Sequence, residues 1–80
     1  MKNLISLLKQ INNQIDYEKE QNLIEDGLFT SFDILQCISA IEDYYEIEIP
    51  ASEIQNANFS SAQNIFNMIN RVKKLGRDHI

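Results

Sequence analysis

Ser31 is the side chain in this sequence best placed to carry chemistry. It stands in Asp26-Gly-Leu-Phe-Thr-Ser31-Phe-Asp33, where Thr30 and Asp33 have the capping-box spacing that opens a helix. A hydroxyl at such a helix start is exposed, and the helix dipole and free N–H groups favour a phosphate attached to it. A serine that only caps or fills the first turn fits the same position, and local chemistry alone favours that plainer role. Around the helix that Ser31 opens, steps of 100° place Ser31, Glu42, Leu35, Glu46, Ser39, Phe32 and Asp43 in a sector of about 120°. Phe32 and Leu35 thus project among three carboxylates on the side away from the core, which suits a docking surface.

Other reactive groups offer little. Cys37 falls on the predicted core face and His79 stands next to the last residue, so a Cys–His nucleophile is not expected. A lone cysteine excludes an internal disulfide and every multi-cysteine zinc motif. Glu42, Asp43, Glu46 and Glu48 lack the spacing of a calcium loop. Tyr44 and Tyr45 have no acid–base partner in the sequence and are assigned to packing. The chain is not expected to be an enzyme or to bind a metal.

Charge is distributed unevenly. The 80 residues carry 12 acidic and 7 basic side chains, a net charge of −5. Between Lys19 and Arg71 there is no basic residue and there are nine acids, from Glu20 to Glu53. Such a middle repels phosphate backbones, so nucleic acid is not expected as a partner. It attracts proteins with Lys and Arg patches. No apolar run approaches the roughly 18 residues of a membrane span, and the first ten residues lack a signal-peptide pattern. A cytoplasmic monomer without membrane insertion is expected.

The elements that must position Ser31 follow from periodicity. Leu4, Leu7, Leu8, Ile11 and Ile15 fall within about 100° of one another and predict an amphipathic first helix. Asp16 to Gly27 is too polar to be buried and reads as an extended loop pinned by Tyr17, Leu23 and Ile24. A second helix begins at Thr30 or Ser31, with Ile34, Cys37, Ile38, Ile41 and Tyr45 inward. Pro50 stops it, and Ala51 to Gln55 can form one short turn. Ser60-Ser-Ala-Gln63 repeats the capping-box pattern and opens a last helix with Ala62, Ile65, Met68, Ile69 and Val72 inward. Gly76 is placed to end it. Thirteen isoleucines favour strands by propensity, yet only Tyr45-Glu-Ile-Glu-Ile49 alternates, and it has no partner. The prediction is an all-α four-helix bundle of three longer helices and one short one. It forms a single domain over residues 1–76, with a frayed tail at 77–80.

Three segments carry a family likeness: Asp26-Gly-Leu-Phe-Thr-Ser31-Phe-Asp-Ile-Leu, then Ala40-Ile-Glu-Asp-Tyr-Tyr-Glu-Ile-Glu-Ile-Pro50, then Asn58-Phe-Ser-Ser. Together they resemble the acyl carrier protein family, which includes peptidyl and D-alanyl carriers. Its signature is Gly-x-x-Asp-Ser and a hydrophobic residue, opening a helix that ends in an acidic cluster and Ile-Pro. The likeness runs from about Leu23 to Val72, with Thr30 where the family has aspartate. It implies that Ser31 carries a covalent 4′-phosphopantetheine arm, whose thiol holds an acyl or aminoacyl group as a thioester. It further implies a phosphopantetheinyl transferase, a loading enzyme, and a downstream synthase or transferase with a basic patch as partners. Phe32, Asp33, Leu35, Ser39, Glu42, Asp43 and Glu46 would meet them. Fatty acyl, polyketide, aminoacyl and D-alanyl cargo all remain open, in fatty acid or secondary metabolite biosynthesis. The alternative is an acidic helical adaptor, a degenerate carrier that stays unmodified and binds a basic protein.

Overall fold

The computed structural model describes the backbone of residues 1–78 and the side chains of residues 1–74. Three α-helices appear in chain order: α1 (Lys2–Ile11), α2 (Ser31–Tyr45) and α3 (Ala62–Asp78). Leu4 and Leu8, one turn apart, are fully buried in α1, with Ile5, Leu7 and Ile11 packed partly against the same core. The helix stops at Asn12, earlier than the apolar pattern through Ile15 predicts. Asn12 Oδ1 accepts from Gln14 N–H at 3.1 Å, an Asx turn that competes with helix. The Tyr17 hydroxyl donates to the carbonyls of Leu8 and Asn12 at 3.0 and 2.8 Å, which satisfies the helix end from outside. Ile15 is still buried, reached from the turn instead of the helix.

The segment from Asp16 to Gly27 is a run of tight turns and not an extended loop. Asp16 O accepts from Lys19 and Glu20 N–H, and Leu23 O accepts from Leu28 and Phe29 N–H. Tyr17 and Leu23 are buried as anchors, and Ile24 is half-buried. In α2 only Cys37 and Ile41 are fully buried, while Ile34, Ile38 and Tyr45 pack partly against the core. Tyr45-Glu-Ile-Glu-Ile49 makes no strand, and there is none among the described residues. Ile49 points inward and is buried, with Ile47 half-buried beside it.

Between Pro50 and Ser60 the chain forms two 3₁₀ turns, Ala51–Glu53 and Asn56–Phe59. The first lies where one short turn is predicted; the second is not foreshadowed, and it delivers Phe59, a fully buried side chain, into the core. The start of α3 lies one residue later than the Ser60–Gln63 box predicts. Ser61 Oγ accepts from Asn64 N–H at 3.1 Å, whereas Ser60 Oγ donates to Asn56 O and Gln63 bonds Asn67. Ser60 is occupied by the preceding turn, so the cap passes to its neighbour. Ala62, Ile65, Met68, Ile69 and Val72 line the inner face as predicted. The helix continues through Gly76 to Asp78 and does not end at the glycine. One helical glycine costs only about 1 kcal/mol relative to alanine. His79 and Ile80, the end of the predicted tail, lie outside the described residues. The radius of gyration is 12.0 Å, near the roughly 12 Å of a packed chain this long.

Candidate functional site

The N-terminal end of α2 is built from three anchored residues before Ser31. Gly27 adopts a positive φ of 70°, which turns the chain, and its N–H donates to Ile24 O. Phe29 is buried and meets Tyr17 edge-to-face, with ring centroids 6.4 Å apart. Thr30 is the helix cap: its Oγ1 accepts from Asp33 N–H at 3.2 Å, and Asp33 Oδ2 accepts from Thr30 N–H at 3.0 Å. The predicted capping box is therefore complete. Ser31 is left as the first helical residue, exposed, with capping carried by its neighbour.

Five of the seven expected docking side chains are exposed: Phe32, Leu35, Ser39, Asp43 and Glu46. Phe32 and Leu35 are each 65% exposed, a high value for large apolar side chains one turn apart. The other two are half-buried and engaged. Asp33 completes the cap, and Glu42 Oε2 accepts from Ile49 N–H at 2.9 Å. Tyr44, expected to pack, is instead 53% exposed, its ring edge-to-face with Tyr45 at 4.9 Å between centroids. Tyr45 does pack, half-buried beneath Lys73 Nζ at 4.8 Å from its ring centroid. Glu46 closes α2 in the left-handed region, φ 55° and ψ 49°.

Phe29 and Phe59 are the core residues that periodicity misses, because each lies just outside a helix. Phe29 carried a usable signal. It precedes the Thr30 cap, and Ile34 follows at the fourth helical position, the spacing of a hydrophobic staple. Both side chains join the same core cluster.

Outside this face the described residues hold little reactive chemistry. Burial pushes the Cys37 thiol up to about 12. Tyr17 is also pushed up to about 12, first by burial and then by the nearby Cys37 and Asp33. Among the described residues no group of three or more His, Cys, Asp or Glu side chains could hold a metal ion. Glu53 and Arg71 form an ion pair at 3.0 Å, completed by Asn58, and the guanidinium hydrogen bond holds the Glu53 carboxyl below its usual range. A surface depression of about 320 Å³ near the end of α1, lined by Ile5, Lys9, Asp16 and Tyr17 among others, takes no residue from α2. Among the described residues no helix is long and apolar enough to cross a membrane. Comparison with family models, with curated proteins and with solved structures gave no match to this chain.

Proposed function

We propose that this chain is a small carrier protein of the acyl carrier type, bearing a 4′-phosphopantetheine arm on Ser31. The observation that carries this reading is the division of labour at the start of α2. Thr30 and Asp33 cap the helix, so the Ser31 hydroxyl is not needed there and faces solvent. The residues present fit the arm. A phosphodiester on Ser31 would sit where the helix dipole is positive, and Asp33, the nearest carboxylate in sequence, is turned to Thr30 N–H. When bound, the arm supplies a thiol that holds acyl or aminoacyl cargo as a thioester.

The chain's own part is tethering and presentation. Phe32 and Leu35 offer apolar contact beside Ser31, and Ser39 leaves room between them and the acidic end of α2. Asp43 and Glu46 supply rim charge that orients a basic transferase, loading enzyme or downstream synthase and speeds encounter. Contacts this few release the partner after each step. In this reading the 3₁₀ turns of Ala51–Phe59 stand where a four-helix carrier has its short helix.

Intact mass measured after incubation with coenzyme A and a broad-specificity phosphopantetheinyl transferase tests the reading. One added arm is expected on the wild type and none on Ser31→Ala, whose melting temperature stays close to wild type. Thr30→Asp should be modified faster at little cost, since both residues cap well. Wild-type protein left unmodified by every transferase tried would replace the carrier with the acidic adaptor, for which the aspartate's replacement by Thr30 already speaks.

A further inference from the structure

We infer that Glu42 serves the docking face as a positioning residue, acting as a hydrogen-bond acceptor that clasps the connector after α2 and not as a charge shown to partners. The inference rests on the proposed function only where docking is concerned; the clasp itself is independent of it.

Glu42 holds three successive parts of the connector. Its backbone carbonyl accepts from Glu46 N–H, the cap of α2, and from Ile47 N–H at 3.2 Å. Its side-chain Oε2 accepts from Ile49 N–H at 2.9 Å. Ile49 is buried and Ile47 half-buried, so these amides belong to the residues that fasten the connector to the core. The connector needs fastening because it leaves α2 through Glu46 in a left-handed conformation that a non-glycine residue adopts reluctantly. Its far side is fixed separately, by Glu53 and Asn58 on Arg71 of α3. The near side has no comparable polar tie to α2 except Glu42, among the described residues.

Asp43 and Glu46 differ from Glu42 in this respect. Both are exposed, and neither side chain accepts a hydrogen bond from another described residue. Charge on the docking face is thus available from those two, while Glu42 fixes where Glu46 and the following backbone lie. A glutamine at position 42 would lose the charge but keep a carbonyl oxygen in reach of Ile49 N–H. An alanine would lose both. The two roles can therefore be separated by chemistry at one position.

Amide hydrogen exchange followed by NMR on the whole chain reads the clasp without any partner. In Glu42→Ala the Ile49 amide should exchange faster by about tenfold or more, the loss expected for a bond to a charged acceptor. In Glu42→Gln, which keeps a neutral acceptor, it should accelerate by clearly less than in alanine, roughly fivefold at most. Ile41 and Ile65, inside α2 and α3, should be unchanged in both variants, which separates local release from global unfolding. Equal acceleration in the glutamine and alanine variants, or none in alanine, would overturn the inference. Transferase kinetics extend it to docking: Glu42→Gln should keep the wild-type rate while Asp43→Asn and Glu42→Ala lose rate, and a loss in Glu42→Gln matching Asp43→Asn would return Glu42 to the charged rim. A wild-type protein that accepts no arm defeats the carrier reading alone, because the exchange measurement still decides the clasp.

Discussion

Leu35 and Ile41 show how one helix divides its residues between solvent and core. Leu35 is 65% exposed and Ile41 fully buried, although both are large aliphatic side chains on α2. Ile41→Ala should cost about 2–5 kcal/mol, a large share of what so small a domain has. Leu35→Ala should cost no more than about 0.5 kcal/mol, as exposed substitutions do; under the carrier reading it should instead slow modification by the transferase. Denaturant melts of the pair decide it, and equal destabilisation would mean that Leu35 packs. Cys37 gives a second residue-level outcome. Burial raises its thiol from 9.0 to about 12 in the folded chain, so the unfolded chain releases that proton first. Stability is therefore full below pH 9.0 and falls as pH rises towards about 12, by up to roughly 1.4 kcal/mol per pH unit from this one group. Tyr17, raised from 10.0 to about 12, adds its own decline above pH 10.0. Chemical denaturation across this range should show the fall beginning near pH 9 in wild type and only near pH 10 in Cys37→Ala.

Element by element, the sequence was most legible where periodicity and capping agreed. The inner faces of α2 and α3 follow from 3.6-residue spacing, and the Thr30–Asp33 box places the start of α2 at Thr30 or Ser31, where Thr30 caps and Ser31 begins the helix. The exposed placement of Phe32 and Leu35 follows from the same spacing. What stayed hidden was decided by tertiary bonds. Tyr17, nine residues from Leu8, ends α1 early by bonding its carbonyl, and no local pattern reports that. Glu42 reads as one more surface acid until Ile49 folds back onto it. Ser60 reads as a cap until Asn56 O takes its hydroxyl. Glu46 was illegible for another reason: the αL residue after a helix is usually glycine, and here the side chain contradicts the backbone. That conflict is measurable. Glu46→Gly should stabilise the fold by about 1 kcal/mol by relieving the left-handed strain, with the gain trimmed by the flexibility glycine adds to the unfolded chain. Thermal melts check the sign. Under the carrier reading the same variant should dock more weakly, because it removes a rim charge.

At the scale of the whole molecule the dominant feature is repulsion among acids. Nine acids lie between Lys19 and Arg71 with no basic residue among them. Folding supplies one ion pair among the described residues, Glu53 with Arg71, and Arg71 is about half exposed. A pair this open is worth at most about 1 kcal/mol. Lys73 spends its charge on the Tyr45 ring. The body measures 39 by 22 by 20 Å, so at about 0.01 M salt, where the screening length is roughly 30 Å, acids repel one another across its whole thickness. At about 0.15 M the length falls to roughly 8 Å, and only immediate neighbours still interact. Screening thus removes many long-range repulsions while weakening one ion pair among the described residues, so added salt should stabilise the fold on balance. The melting temperature should rise between these two concentrations, by about 4–8 °C for each kcal/mol of repulsion relieved in a domain this small. Sodium chloride is the right salt for the measurement, since sulfate would strengthen apolar burial as well. A flat or falling melting temperature would mean that attraction between the acidic middle and the basic terminal segments already balances the acids. Arg71→Gln then locates that attraction: if it resides in the Glu53 pair, the variant regains the rise with salt.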